Sequence, residues 1–287
     1  MRWSSGDRSN IEDVRGRSGG GMRGGVPFGI GGLLLLLVLS WATGTDFLSL
    51  LGGLDQGAPS SAVTGTAGEL QTTPEEERMV DMVDAVAGDA QDTWQRLLGD
   101  RYQRTRVVLF REAVRSGCGA AESATGPFYC PADQKVYLDL SFFRELSDRF
   151  GAPGDFAQAY VVAHEFGHHV QNLLGTNERV QSGSMGANSA SVALELQADC
   201  YAGVWGNAAS GGRAFQAGRV QLEPGDAEEA LRAASVIGDD HLQKMSTGRV
   251  QPERFTHGSS AQRMEWFERG MRTGDPRQCD TFAALTQ

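Results

Sequence analysis

The sequence predicts an α+β domain, in which a small sheet is followed by a mainly helical remainder. Two short runs with strand-like patterning, residues 105–110 and 135–140, precede a series of segments with apolar residues at helical spacing. Because strands and helices are segregated along the chain, the order favours an α+β fold over alternating βαβ units. The approximately 215 residues from 73 to 287 are enough to bury a single core.

The first element of this region is a helix whose start is well marked. Thr73 is a suitable N-cap, Pro74 suits the first helical position and Glu76 completes a capping box. The apolar residues that follow form one stripe, which we interpret as a packing face: Met79, Val83, Val86, Ala90, Trp94 and Leu97.

The predicted sheet contains residues 105–110 and 135–140, with residues 128–130 as a short third strand. The run 135–140 alternates in polarity and lies just upstream of a predicted helix at 154–174. We therefore expect it to be an exposed edge, to which an extended peptide could add as another strand. An interior position in the sheet is the alternative.

Five further helices are predicted, near residues 141–149, 154–174, 188–207, 226–245 and 259–272. Asp226 and Glu229 form a second capping box at the start of the fourth, and Ser259 or Ser260 can cap the last. The C-terminal half is therefore expected to be a set of packed helices.

One pentapeptide carries most of the functional information. Residues 164–168 spell HExxH inside an apolar, helix-patterned segment. Since a helix turns about 100° per residue, His164 and His168 return to nearly the same face and can grip one metal ion. Glu165 stands about 100° round the helix, close enough to take a proton from a metal-bound water. This arrangement is typical of zinc-dependent amide hydrolysis.

The context of the motif makes a chance match less convincing. The chain holds only five histidines, and the residues around the motif supply the buried faces of a core helix. Gly167 costs about 1 kcal/mol of helix stability relative to alanine, so its position indicates a close approach of backbone or ligand. The alternative is a pair of histidines that share a solvated helix face.

A catalytic zinc usually has three protein ligands and one open position. The longer motif HExxHxxGxxH is excluded, because Gln171 and Leu174 occupy the positions of its glycine and third histidine. We predict that Glu195, from the following helix, is the third ligand. Asp199 lies four residues later on the same face, where its carboxylate would accept a hydrogen bond from the outer nitrogen of a ligand histidine.

Two other interpretations of this acidic pair stay open. Glu195 and Asp199 could exchange roles, or they could form an ordinary solvated acidic face. The surrounding side chains are small and apolar, which favours close helix packing: Ala190, Val192, Ala193, Leu194, Ala198 and Ala202.

Four segments together resemble the bacterial neutral zinc metallopeptidases: residues 164–171, 195–203, 238–240 and 255–263. The similarity runs from the arginine-rich N-terminus to residues 279–282. It implies a membrane-anchored, mainly helical, zincin-like domain with a small sheet and a zinc site of the HExxH-plus-glutamate type. It implies no particular substrate.

The predicted reaction is hydrolysis of a peptide bond with Zn²⁺ as cofactor and Glu165 as general base, then acid. The oxyanion that forms needs a further donor, for which His257 and His241 are the candidates. We favour His257, which lies in a Gly/Ser-rich turn within a segment shared with the family, whereas His241 follows two acids near a helix end. His169 points about 140° away from His164, which indicates a structural or exposed side chain.

Residues 24–45 contain no charged side chain and centre on a leucine-rich run. A membrane-spanning helix needs about 20 apolar residues, so we predict one transmembrane anchor there and a flexible linker at 46–72. A cleaved signal peptide is the alternative, although no good cleavage site follows. Residues 1–23 carry five arginines against three acids, which predicts a cytoplasmic tail and an extracytoplasmic catalytic domain at 73–287.

The cysteines and the net charge agree with export. All four cysteines lie in the predicted catalytic domain, where an oxidising compartment allows disulfides. Of the three possible pairings we propose Cys118–Cys130 and Cys200–Cys279, and the absence of a CxxC pair disfavours a cysteine zinc site. The net charge of −10 becomes −12 without the tail, which argues against nucleic acid as a partner.

Three functions fit these residues. The first is a membrane-anchored zinc metallopeptidase that acts on a peptide or protein substrate outside the cytoplasm. The second is a non-catalytic envelope protein that keeps the scaffold for binding or assembly, although such a protein has no need of Glu165. The third is a zinc amidase that acts on non-peptide envelope material through the same site.

Overall fold

The computed structural model describes residues 1–16, 70–180, 183–211 and 219–283. Its strands are β1 (Arg2–Trp3), β2 (Ile11–Asp13), β3 (Val107–Phe110), β4 (Ala113–Ser116), β5 (Gly119–Glu122), β6 (Phe128–Cys130), β7 (Lys135–Asp139) and β8 (Val220–Gln221). Its helices are α1 (Pro74–Leu98), α2 (Ser141–Asp148), α3 (Asp155–Leu173), α4 (Ala190–Ala209), α5 (Asp226–Val236), α6 (Asp239–Thr247) and α7 (Ser260–Thr273). The predicted α+β class is confirmed.

The central sheet has four strands in the order β2-β3-β7-β6. β2 and β7 pair in parallel with β3, whereas β6 pairs antiparallel with β7. The prediction that residues 135–140 form an exposed edge is therefore wrong, because β7 lies between two other strands. Its last four residues are buried, as expected of a strand covered on both faces. On this side of the sheet the edge strand is β6.

The N-terminal residues 1–16 belong to the same domain as the helices. β2 is a strand of the central sheet, and β1 pairs with β8. The prediction of a separate tail at 1–23 and a catalytic domain that starts at 73 is therefore wrong. Arginines that indicated a tail form ion pairs with the folded domain instead: Arg8 binds Glu77, and the buried Arg15 binds Glu76.

The amino group of Met1 is buried and lies 3.0 Å from carboxylate oxygens of both Asp155 and Asp226. Burial lowers the pKa of this amino group, but the hydrogen bonds that it donates to Asp226 and Asp155 outweigh burial and raise the pKa to about 10. Asp226 thus binds the amino group of Met1. The capping box predicted for Asp226 and Glu229 is absent from α5. Asp155 is the first residue of α3, so the chain start is tied to the helix that carries HExxH.

A row of buried polar side chains fixes the segment before β2. Asn10 donates to the carboxylate of Asp84 at 2.9 Å and accepts from the amide of Gln91 at 2.8 Å. The side-chain oxygen of Gln91 accepts in turn from the backbone N–H of Thr105. These bonds join β2, α1 and the approach to β3 into one unit.

The predicted anchor at 24–45 lies outside the described residues, as does most of the linker at 46–72. Among the helices that the structure describes, none is both long and apolar enough to cross a bilayer. β2 and β3 flank the predicted anchor in the chain and pair directly with each other. A single crossing would place these two strands on opposite sides of a membrane. The predicted combination of a cytoplasmic N-terminus with an extracytoplasmic domain is therefore wrong.

The later helices agree with the prediction except in one place. Residues 226–245 form two helices rather than one, and Gly238 lies between them. A Cβ at Gly238 would collide with the backbone of Ser260, so the break lets the start of α7 come close. Ser259 caps α7 in a capping box with Gln262.

Both predicted disulfides are present. Cys118–Cys130 joins the tip of the β4–β5 hairpin to β6. Cys200–Cys279 joins the middle of α4 to the segment after α7. Both bonds therefore secure elements that surround α3.

Replacing Asn10 by alanine should lower the free energy of unfolding by about 2–3 kcal/mol, because buried Asp84 and Gln91 each lose a partner. Urea denaturation measures the change. The exposed Ser5 provides the control, since Ser5→Ala should stay within about 0.5 kcal/mol of the parent. Equal stability of Asn10→Ala and the parent would show that the N-terminal segment is not docked.

Candidate metal centre

One stripe of α3 forms the floor of a cleft with a volume of about 550 Å³. Residues at spacings of three and four share a face of a helix. The seven residues of α3 that line the cleft are Tyr160, Val161, His164, Glu165, His168, Gln171 and Asn172. The side chains of His164, Glu165 and His168 therefore face an open space large enough for part of a peptide.

His164, His168 and Glu195 converge at the centre of this cleft. The Nε2 atoms of the two histidines lie 3.2 Å apart. An oxygen of Glu195 lies 3.2 Å from Nε2 of His164, and its other oxygen lies 3.5 Å from Nε2 of His168. Two ligand atoms that each lie ~2.1 Å from a tetrahedral ion are about 3.4 Å apart. The three groups therefore fit three corners of a tetrahedral zinc site.

Outer hydrogen bonds set the direction of each imidazole lone pair. Nδ1 of His164 lies 2.8 Å from the carboxylate of Asp199, and Nδ1 of His168 lies 2.8 Å from the side-chain oxygen of Gln171. Because these oxygens accept, each Nδ1 carries the proton and each Nε2 keeps its lone pair. Two lone pairs and the Glu195 carboxylate then face one point, which is favourable only with a cation between them.

The geometry separates the two acids of the pair. Glu195 lies beside both Nε2 atoms, whereas Asp199 lies behind His164 and is fully buried. Arg263 donates to both oxygens of Asp199 at 2.9 Å, and the hydroxyl of Tyr160 donates to one of them at 2.6 Å. Asp199 therefore does not belong to a solvated acidic face.

These partners control the charge of the centre. Burial raises the pKa of Asp199, but the charges of Arg263 and His164 outweigh it and lower the pKa to about 2. Burial lowers the pKa of His164, but Asp199 outweighs it and raises that pKa to about 10. An ionised Asp199 therefore makes the imidazole of His164 strongly attractive to positive charge.

Arg263 was not predicted from the sequence as part of the site, although it ends one of the family-like segments. A lone arginine in a helix usually indicates a solvent-exposed position. Its spacing was the available sign of burial: Arg263 lies one turn before Phe267 and two turns before Gly270. These three residues form the buried face of α7.

Glu165 is 6% exposed and lines the cleft beside the two histidines. Burial raises the pKa of its carboxyl group, and the charges of His168 and His164 offset only part of that increase. A carboxylate with a raised pKa accepts a proton more readily, which suits a general base.

His257 lines the same cleft, whereas His241 is not among the described residues that line it. The carboxylate of Asp239 accepts from the backbone N–H groups of Thr256, His257 and Gly258 at 2.7, 2.7 and 3.0 Å. Its other oxygen lies 3.2 Å from Nδ1 of His257. Asp239 thus holds both the turn and the imidazole, a role that the sequence did not reveal.

His169 has the structural position expected for a side chain off the metal face. It is fully buried, and its Nε2 lies 2.6 Å from the carbonyl oxygen of Gln103. Its Nδ1 lies 3.0 Å from the hydroxyl of Tyr129. Both ring nitrogens are therefore engaged, and His169 is not among the described residues that line the cleft.

Gly167 lies where α3 and α4 approach each other closely. A Cβ at this position would lie 3.0 Å from both the Cα and the carbonyl oxygen of Ala198. The expectation that backbone comes close at Gly167 is confirmed. Because Ala198 lies between Glu195 and Asp199 in the chain, this contact brings both acids within reach of the imidazoles.

Comparison with known proteins agrees with this geometry. Residues 1–282 match the family described as "Putative neutral zinc metallopeptidase". The chain belongs to this family. It is 47% identical over 297 residues to "Uncharacterized protein YpfJ" of Escherichia coli (strain K12), covering 98% of this chain and 99% of that protein. It is 48% identical over 221 residues to "Uncharacterized protein Rv2575" of Mycobacterium tuberculosis, covering 75% of each chain. No solved structure matches.

Membership in the neutral zinc metallopeptidase family bears on both the metal and the domain boundary. The family description names zinc, which agrees with the two imidazoles and one carboxylate found at tetrahedral spacing. The match begins at residue 1, as expected if the N-terminal strands are part of the domain.

Gly167→Ala should weaken zinc binding, by about 10-fold. Alanine favours the helix by about 1 kcal/mol, but its Cβ would push α4, and with it Glu195, away from the imidazoles. Competition with a chelator measures the zinc affinity. Gln158→Ala on the same helix is the control and should bind zinc like the parent. Equal zinc affinity of Gly167→Ala would show that the helix contact does not position the ligands.

Proposed function

We propose that this chain is a zinc-dependent metallopeptidase that hydrolyses peptide bonds. The observation that carries the proposal is the tetrahedral spacing of His164, His168 and Glu195 beside an intact Glu165. A bound zinc ion supplies Lewis acidity, which activates water and polarises a carbonyl oxygen. The two histidines would hold the ion through Nε2, and Glu195 through its carboxylate.

Glu165 acts as the base in this proposal. Its carboxylate takes a proton from the attacking water and delivers it to the departing amine. The burial that raises its pKa favours the uptake of the proton, and the departing amine is basic enough to accept it afterwards. Asp199 and Gln171 act through the histidines, because their hydrogen bonds fix each tautomer.

His257 stabilises the oxyanion that develops on the substrate carbonyl. Partial desolvation in the cleft lowers the pKa of His257, but the hydrogen bond with Asp239 and the charges of Glu195 and Asp239 outweigh it and leave the pKa raised. A protonated His257 keeps one N–H on Asp239 and can donate the other, from Nε2, into the cleft.

A peptide substrate is supported by the edge strand β6. Tyr129 of β6 lines the cleft, and within the described residues β6 pairs with β7 alone. Extended peptides add to such an edge through backbone hydrogen bonds. This feature favours a peptidase over an amidase that acts on non-peptide material.

We place the folded domain in an oxidising compartment, outside the cytoplasm. Its two disulfides are typical of exported proteins. Attachment to a membrane through residues 24–45 stays a prediction from the sequence. Any such attachment must leave residues 1–16 on the same side as the described residues from 70 onward.

Glu165→Gln should reduce peptide hydrolysis by about 10²- to 10⁴-fold, because the general base is lost. Its zinc content should stay at about one ion per chain, whereas His164→Ala should lose zinc. Elemental analysis and cleavage of a broad mixture of peptides measure both properties. Wild-type cleavage rates in Glu165→Gln would refute the base. Bound zinc without turnover in the parent would favour a non-catalytic scaffold.

His257→Phe should lower kcat by about 100-fold and change KM little, because the donor acts mainly in the transition state. Steady-state kinetics with one cleaved peptide separates the two constants. His241→Phe is the matched control and should keep the parent kcat. An equal loss in both variants would exclude His257 as the oxyanion donor.

A further inference from the structure

The two halves of the cleft floor differ in chemistry. Asn172 follows His168 by four residues on α3 and donates to the hydroxyl of Tyr129, while Asn177 donates to Asn172. This half is polar, and its groups are occupied with one another. Val161 precedes His164 by three residues and begins the other half.

The half that begins at Val161 has an apolar wall. The wall consists of side chains that line the cleft: Phe142, Phe150, Val161, Ile237 and Leu242. Phe142, Phe150 and Ile237 are partly buried and pack against the main core, which contains Val161. Arg263 donates to the carbonyl oxygen of Ile237 at 3.3 Å, so the wall is anchored to the network behind His164.

The charged side chains among the described lining residues all belong to the metal centre or its support. Arg263 is buried and paired with Asp199, so it offers no charge to a ligand along the wall. A charged substrate side chain would therefore lose water there without gaining a partner. An apolar side chain would gain by leaving water.

The wall lies at the distance of one substrate residue from the reacting bond. Three residues along a helix axis correspond to about 4.5 Å, and one residue of an extended peptide spans about 3.3 Å. A side chain held against Val161 would therefore belong to the residue next to the bond that is cleaved.

We propose that the apolar wall is a subsite for a bulky apolar side chain of leucine or phenylalanine size, next to the scissile bond. This inference rests on the proposed peptidase function and names its substrate class. The preference applies to one side of the bond, because the floor on the other side of the metal-binding histidines carries the amides of Gln171 and Asn172.

Binding to the full-length, zinc-loaded Glu165→Gln variant tests the subsite without turnover. The probes are labelled peptides that differ only in leucine, alanine or aspartate at one position; where the parent hydrolyses the peptide, that position flanks the bond that is cleaved. Fluorescence anisotropy should show leucine bound about 10- to 50-fold more tightly than alanine on one side of the bond, from the burial of three extra carbon atoms. Aspartate should bind most weakly.

Leu242→Asp, added to the Glu165→Gln protein, should reduce the leucine-to-alanine ratio at least about 10-fold, because it places a charge in the wall. Met245→Asp is the control: it lies on the same helix, is 51% exposed and is outside the described lining. It should keep the ratio. Since a ratio is compared, partial loss of folded protein does not imitate the effect.

Two results are informative in different ways. Equal binding of leucine, alanine and aspartate peptides, together with hydrolysis by the parent, would overturn the subsite and leave the peptidase intact. Selective binding of leucine peptides, together with zinc but no hydrolysis in the parent, would support the subsite and overturn the peptidase.

Discussion

The metal centre depends on how closely three helices can approach one another. Gly167 lets the backbone of α4 rest on α3, which brings Glu195 to the two imidazoles. Gly203 and Gly270 do the same for α4 and α7, since a Cβ on either would collide with the backbone of the other helix. That second contact places Arg263 on Asp199. Small residues at two helix crossings thus determine where the charged groups meet.

The buried charged side chains behind the candidate metal centre are each paired with other groups. Asp199 loses its water but gains Arg263, Tyr160 and His164 as partners. Such a group is costly if any partner is removed, whereas the complete set fixes one geometry. Arg263 also neutralises Asp199, while the 2.8 Å contact between Asp199 and Nδ1 of His164 keeps the imidazole oriented towards the cleft.

The parts of the site that the sequence could predict are those with a local period. HExxH and the Glu195–Asp199 pair each depend on a four-residue spacing within one helix. The order of strands is a long-range property, so the run 135–140 gave no sign that β6 would cover its edge. Residues 1–16 form very short strands whose partners are far along the chain, and their arginines suggested a tail. The role of Arg263 depends on its pairing with Asp199 on another helix, so local spacing did not reveal it.

The disulfide between Cys200 and Cys279 is connected to the candidate metal centre through a series of hydrogen bonds. Gln197 donates to the carbonyl oxygen of Cys279 and accepts from Gln171, which itself orients His168. Reduction of this disulfide removes the covalent bond that holds Cys279, at the end of this series of hydrogen bonds, in place. Zinc retention in the presence of a thiol reductant reports this link directly. The geometry of the candidate metal centre is thereby linked to a bond that forms only where thiols are oxidised.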